Sequence, residues 1–490
     1  MKNIVNEMIE KLRERQNVRN NLIQLKELLK ENKILQEVRS IIDDSDLFLS
    51  FLDDTDPKIR KNTALIIAQL NDDIYLEKLF FSYLNEEQLF IRASLLKALS
   101  SFDLENKLDI LNKRLNILND LIQMEHSKHY LEEQRILRKI IEQYQTNVEH
   151  EFIGLDKEYN LVLTTLRTHQ EIVSNAIIEY ESKKTQLGVQ LKTQSLREIM
   201  QYHCFNDILF PLFKHDKIDI ESLSTRIAKS SICNFLNRVY KGEPHYRFRI
   251  NLEVNNQLDI KKLSDLIEIK SKGKLINQPS NYEIEIKVRE NHQQEIFVYL
   301  KLMKIHDGRF DYREQYLSTS IHPVTAGTLM QYILPYIKEN ADVIDPFCGV
   351  GTMLIERHYL EPTHFMMGVD YYGKAISKAK RNTDLSGYTI NYVQRDLFSF
   401  HHRHQFDEII TNMPIYSLTT SKRELEDLYQ RFFKLMIELL KDGGYAFLHT
   451  SEVALIKRNL RKFQVDLELK EEIRILRGKI GSYLFIIEKT

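Results

Sequence analysis

Cysteine is scarce. Cys204, Cys233 and Cys348 are the whole set, far apart and odd in number, with no C-x-x-C pair in the 490 residues. That excludes a disulfide framework and a zinc knuckle, and fits a reducing compartment, so a cytoplasmic location is expected. A charge excess of one sign is missing too. Lys and Arg number 69 against 70 Asp and Glu, a net charge of −1. No global basic footprint therefore announces nucleic acid, although a local patch remains compatible with it. No uninterrupted apolar run is long enough to cross a bilayer. The opening MKNIVNEMIEKLRERQ is charged and amphipathic and has no apolar signal core. A soluble, multidomain chain with no membrane contact is the expectation.

Glycine and proline are also sparse over residues 1–230, where apolar residues recur at three- and four-residue spacing. This predicts helix after helix. FLDDTDPKIRKNTALIIAQL (51–70) aligns with YLNEEQLFIRASLLKALSSF (83–102), pairing Leu52 with Leu84, Ile59 with Ile91 and Arg60 with Arg92. A period of about thirty residues is that of a stacked helical pair. The first copy, with its D-P-x-I-R turn into a helix, resembles a HEAT repeat. Such repeats imply a scaffold that rigidifies the chain or holds a protein partner. The charged stretch from about 105 to 200 is expected to be a solvated helix or helical hairpin.

From about 235 the period changes to two: YRFRINLEV, YEIEIKVRE and EIFVYLKLM are strands, with the helix IKKLSDLIEIK between the first two. Residues 231–315 form a small α+β unit. From 316 to 490 strands and helices alternate through ADVIDPF, FMMGVD, TINYVQRD, FDEIITNMP and GYAFLHTS. That is the pattern of a doubly wound, mainly parallel sheet. The chain ends with EEIRILRG and SYLFIIEKT, two strands joined by a short turn, so the last strand must be antiparallel.

In VIDPFCGVGTMLIE (343–356) a strand runs into Gly349-Val350-Gly351 and then a helix. Glycines let a ligand approach the backbone, and the helix N-terminus offers free N–H donors. A dinucleotide fingerprint requires a third glycine, but that position is Leu354. Asp370 ends the next strand, placed to accept from a ribose hydroxyl pair. An adenosine with a ribose and no phosphates is S-adenosyl-L-methionine. Asp345 would suit its cationic amino end. Asp396, closing the third strand, is either an acceptor for the adenine amine or a helix cap.

This array resembles the class I, Rossmann-fold methyltransferases. TNMPIY (411–416) extends the likeness, since Asn-x-Pro-aromatic marks methyltransferases acting on exocyclic amines of bases. DPFCGVGTMLIE resembles, more narrowly, the first motif of the RNA guanine-N2 methyltransferases associated with THUMP domains, which modify tRNA or ribosomal RNA. The resemblance implies a cofactor wall of Pro346, Phe347, Cys348, Thr352, Tyr371, Leu397 and Asn412 beside the residues above. It adds Ser320, His322 and Thr325 from a segment closing over the pocket (312–333). It makes 231–315 a shortened THUMP-like unit, with tRNA the favoured substrate and Arg247 and Arg249 on one strand face as an RNA grip or a merely exposed face.

The chemistry explains the Asn. A guanine amine is a poor nucleophile because its lone pair is delocalised. Asn412 Oδ1 and the Met413 carbonyl could grip its hydrogens and aim that lone pair at the methyl group, with Pro414 stiffening the turn. Here the motif's aromatic position is Ile415, so Tyr416 or Phe398 is expected to stack on the base. A DNA or protein acceptor, or a non-catalytic scaffold that binds the cofactor, remains an alternative. Cys348 is expected to pack under the loop, and His401, His402 and His404 to form a solvated turn, since no acid or Cys stands at ligand spacing. Lys457, Arg458, Arg461 and Lys462 are expected on a solvated helix face. No metal is expected.

Overall fold

The computed structural model describes residues 2–30, 46–125, 127–144, 150–215, 219–242, 245–255, 258–416, 420–476 and 481–490. It divides into two compact units, one of residues 1–149 and 265–274, the other of 150–264 and 275–490.

The first unit is built from α1 (Lys2–Arg13), α2 (Val18–Leu28), α3 (Asp46–Phe51), α4 (Pro57–Leu70), α5 (Leu76–Asn85), α6 (Leu89–Leu99), α7 (Leu108–Met124) and α8 (Lys128–Tyr144). Asp56 caps α4, accepting from the Lys58 N–H with Pro57 at the first helical position. The two aligned segments form successive helical pairs, α3–α4 and α5–α6. Both motif arginines turn to one residue: Arg60 makes a two-pronged contact with the Glu86 carboxylate at 2.7 and 2.8 Å, and Arg92 donates to the Glu86 carbonyl. The equivalence is incomplete, because Leu52 is buried whereas Leu84 is exposed. The α7–α8 hairpin is packed rather than solvated. It buries Leu111, Leu118, Leu137 and Ile140, and it carries Glu133, which receives Tyr83 Oη and Arg114 in the interior.

Helix does not continue to 230. The second unit opens with strands β1 (Glu151–Phe152), β2 (Tyr159–Thr164), β3 (Lys183–Lys184), β4 (Gly188–Thr193) and β5 (Ile208–His215). After β6 (Tyr240–Lys241) come β7 (Tyr246–Glu253), β8 (Leu275–Asn277), β9 (Ile284–Glu290) and β10 (Ile296–Leu302). An eight-stranded sheet runs in the order β3-β4-β2-β5-β10-β9-β7-β8. The α+β unit expected over 231–315 therefore shares its sheet with strands from 159–215. The reason is visible at β5, ILFPLFKH, where the N-terminal half is buried on both faces. A short apolar run of that kind has no strand period to distinguish it from helix.

The remainder forms β11 (Asp342–Asp345), β12 (Phe365–Asp370), β13 (Asn391–Gln394), β14 (Phe406–Asn412), β15 (Leu440–Thr450), β16 (Leu467–Leu476) and β17 (Ser482–Lys489). The order is β13-β12-β11-β14-β15-β17-β16. The first five strands are parallel, and β17 is antiparallel to both neighbours. Helices α9 (Pro323–Ile333), α10 (Thr352–Leu360), α11 (Gly373–Ser386), α12 (Lys422–Leu439) and α13 (Val453–Lys462) accompany this sheet. Its central strands are apolar on both faces, with Val343, Ile344, Ile409, Ile410, Phe447 and Leu448 buried, as two-sided packing demands. Beneath it Arg357 of α10 and Glu408 of β14, both fully buried, bond at 2.7 and 2.9 Å. That pair ties the helix behind the glycine loop to the strand carrying Asn412.

Candidate functional site

In a parallel sheet the carboxyl ends of the strands share one edge, where ligands bind at the switch in strand order. Here β11, β12, β14 and β15 end there with Asp345, Asp370, Asn412 and Thr450. Because β17 runs the other way, its first residue, Ser482, reaches the same edge.

The two loop glycines serve different ends. Both hold a left-handed backbone, φ +52° at Gly349 and +83° at Gly351. A Cβ on Gly351 would stand 2.2 Å from Tyr392 Oη, a packing constraint from below, whereas one on Gly349 would meet nothing. Gly349 thus leaves open space where a ligand can approach the backbone. Nearby, the Thr352 hydroxyl at the start of α10 is buried without a partner among the described residues, a polar atom that a ligand would satisfy.

Asp370 is half-buried, and its two oxygens accept from Gly349 N (2.9 Å) and Tyr372 N (2.8 Å). Each carboxylate oxygen retains a second lone pair, so the group is oriented by the loop and still able to accept. Tyr371 beside it is 78% exposed. Asp345 lies beneath the loop, accepting from Phe347 N at 3.0 Å. Burial pushes its carboxyl up to about 7, Thr411 and the Phe347 N–H oppose that rise, and Asp370 adds to it. The same burial raises the Cys348 thiol well above its usual range, so Cys348 is packing, not a nucleophile. Pro346 is buried with it, and Phe347 packs on Phe432 at 5.4 Å.

His322 precedes α9, whose Ala326, Leu329 and Met330 pack with Cys348, Met353 and Leu354. The 312–333 segment therefore does lie against the loop and its helix. Ser320 accepts from Leu317 N within its own turn, and Thr325 is half-buried. Asp396 is exposed and caps the turn Leu397–Ser399 through Phe398 N at 2.8 Å.

On the acceptor side Pro414 is anchored by Tyr429, whose hydroxyl donates to its carbonyl at 2.9 Å. Glu452 accepts from Tyr416 N at 3.1 Å. Ile415 and Tyr416 are exposed, 49% and 60%. Asn412 Oδ1 lies 2.7 Å from His449 Nδ1, and His449 Nε2 lies 2.9 Å from Ser482 Oγ. Burial lowers His449 to about 4, so it is neutral at pH 7. Sequence reasoning missed His449 and Ser482. The sequence places His449 near the end of the strand that follows β14, but only the observed register pairs it with Asn412.

Other expected residues lie elsewhere or are occupied. Arg247 is paired with buried Glu283 at 2.8 Å, and Arg249 is paired with buried Glu285 while stacking on Tyr282 at 4.0 Å. Both guanidiniums are held by carboxylates, Arg247 largely buried and the Arg249 side chain still 41% exposed. Phe398 has one face covered by Arg431 at 3.8 Å. His402 packs on Phe406 at 5.0 Å and meets the His404 carbonyl. Lys457 and Arg458 pair with Glu472 and Glu426 on α13's surface.

Residues 311–479 match the family model described as UPF0020, RMKL-like, methyltransferase domain. The chain carries a methyltransferase domain. Solved structures agree on the fold. TrmN from Thermus thermophilus superposes with a TM-score of 0.54 at 19% identity, over 68% of this chain and 100% of its own. SMU.472 complexed with SAH gives 0.54 at 14%, over 69% and 99%. A predicted N6-adenine-specific DNA methylase from Listeria monocytogenes str. 4b F2365 gives 0.54 at 14%, over 67% and 96%. The cofactor of the methyltransferase domain is S-adenosyl-L-methionine. The open face of Gly349, the unpartnered Thr352 hydroxyl and the oriented Asp370 fit it. Among the described residues, no helix is long and apolar enough to cross a membrane.

Proposed function

We propose that the protein methylates an exocyclic amine of an RNA base, with guanine N2 the target and tRNA favoured over ribosomal RNA. One observation carries this reading: the Asn412-Met413-Pro414 turn stands on the same sheet edge as the Gly349 loop, with Tyr416 exposed beside it. When bound, S-adenosyl-L-methionine supplies the sulfonium methyl group. Asp370 would hold its ribose hydroxyls, Tyr371 its adenine and Asp345 its cationic amino end. Asn412 Oδ1 and the Met413 carbonyl take the two hydrogens of the acceptor amine, which turns its lone pair toward the methyl group. Such alignment is the main source of rate when the leaving group is already good. Tyr416, rather than Phe398 with its covered face, offers the ring on which an unstacked base rests.

The region 231–315, with the sheet it shares, serves in this reading as a THUMP-like RNA-holding unit. The two helical pairs, HEAT-like in sequence, present substrate or a protein partner, in the cytoplasm. Labelled-methyl transfer from S-adenosyl-L-methionine to RNA, DNA and protein, offered separately, tests the substrate class. Label in RNA alone supports it. Label in DNA or protein, or in none of the three, removes it.

A further inference from the structure

The catalytic reading leaves one group unused. His449 is 7% exposed, at the end of β15, between Asn412 and Ser482. A carboxamide oxygen only accepts, so at 2.7 Å from Asn412 Oδ1 the imidazole Nδ1 must carry the hydrogen. Nε2 then has a free lone pair, and the Ser482 hydroxyl at 2.9 Å is its donor. The backbone repeats the link, since Met413 N donates to the His449 carbonyl at 2.9 Å. Neutral imidazole in water prefers the other tautomer, so this arrangement needs its two neighbours to hold it.

A tether of this kind matters for an acceptor amine. The amine offers hydrogens, and within the carboxamide only Oδ1 can accept one. An untethered carboxamide can turn over about its last bond and present NH2, a donor, to another donor. With His449 on one lone pair of Oδ1, the second is left for the substrate.

We propose that His449 is a positioning residue: held as the Nδ1–H tautomer by Ser482, it donates to Asn412 Oδ1 and fixes which end of that carboxamide meets the acceptor amine. This rests on the amine-methylation reading above, and the tests separate the two.

The tautomer is read without any substrate. Nitrogen-15 histidine labelling of the full chain, with the His449 signal assigned by its loss in His449→Asn, should give a protonated Nδ1 and a bare Nε2. Ser482→Ala should shift that signal toward the other tautomer. Methyl transfer to total RNA and cofactor affinity are then measured in wild type, His449→Ala and His449→Asn. The alanine variant should bind S-adenosyl-L-methionine as wild type does, with kcat down roughly tenfold or more and KM little changed. Asn places an amide donor near the Nδ1 position and should restore much of that loss. Intact cofactor affinity excludes misfolding as the cause. A protonated Nε2 with bare Nδ1 overturns the tether whatever the activity. Wild-type turnover in His449→Ala overturns the positioning role. Absence of methyl transfer by the wild type removes the amine-methylation reading and the catalytic half of this proposal with it, while the nitrogen signals still decide the tether.

Discussion

Asp345→Asn should stabilise the protein and abolish cofactor binding. The substitution keeps the side chain's shape and its bond from the Phe347 N–H, and removes only the charge. The Asp345 carboxyl stands at about 7 against an ordinary value of 3.8. At about 1.4 kcal/mol per pH unit, that rise is worth about 4 kcal/mol. The direction follows from which state binds the proton. Below pH 3.8 the group is neutral whether the chain is folded or not. As pH rises the unfolded chain ionises first, so stability falls until the folded group ionises near pH 7, and the loss is constant above it. The Asn variant should therefore gain about 4 kcal/mol over wild type at pH 8 and about 2 kcal/mol at pH 5, by the same conversion. Urea unfolding followed by far-UV circular dichroism reads this, the chain having no Trp. Calorimetry on the same samples reads cofactor affinity. A gain of equal size at both pH values, or a loss at pH 8, would refute the reasoning, as would unchanged affinity for S-adenosyl-L-methionine. A carboxylate kept in an unfavourable place is the kind of cost that function imposes.

Asn412→Ala should bind the cofactor normally and turn over poorly; normal turnover would make Asn412 structural. Tyr416→Ala should raise KM for RNA, with Tyr416→Phe close to wild type, because the ring rather than the hydroxyl is the platform. Gly351→Ala should cost about 1–3 kcal/mol, since its Cβ would stand 2.2 Å from Tyr392 Oη at a φ of +83°; an unchanged denaturation midpoint would contradict that packing. Arg357→Met leaves the Glu408 carboxyl fully buried without its guanidinium partner, the Lys338 N–H still donating to it, and should cost about 3–5 kcal/mol, partly recovered in Arg357→Met/Glu408→Leu.

The methyltransferase sheet was legible because its apolar strands alternate with helical stretches and its loop carries glycines and acids at strand ends. The antiparallel end was legible for a similar reason, two strands and a turn too short for a crossover. Residues 151–215 were not. There β2 and β5 are short and largely apolar, and the glycines that punctuate them, Gly154 and Gly188, are isolated in a region otherwise poor in glycine. Hydrophobic period reports one face of an element, so it is silent where both faces are buried. Asp345 and Asp370 could be placed from sequence because they end consecutive strands of a known order. His449 and Ser482 could not, since their meeting with Asn412 depends on register between β14 and β15 and on the reversed direction of β17. The carboxylate partners of Arg247 and Arg249, Glu283 and Glu285, were not legible either, since each stands thirty-six residues away in sequence.

The central claim is tested most directly by incubating the purified chain with radiolabelled S-adenosyl-L-methionine and total RNA from a strain lacking the gene, then digesting to nucleosides for mass spectrometry. Label in N2-methylguanosine, lost in Asn412→Ala, is the predicted result. Label in another nucleoside, or none despite measurable cofactor binding, would contradict it.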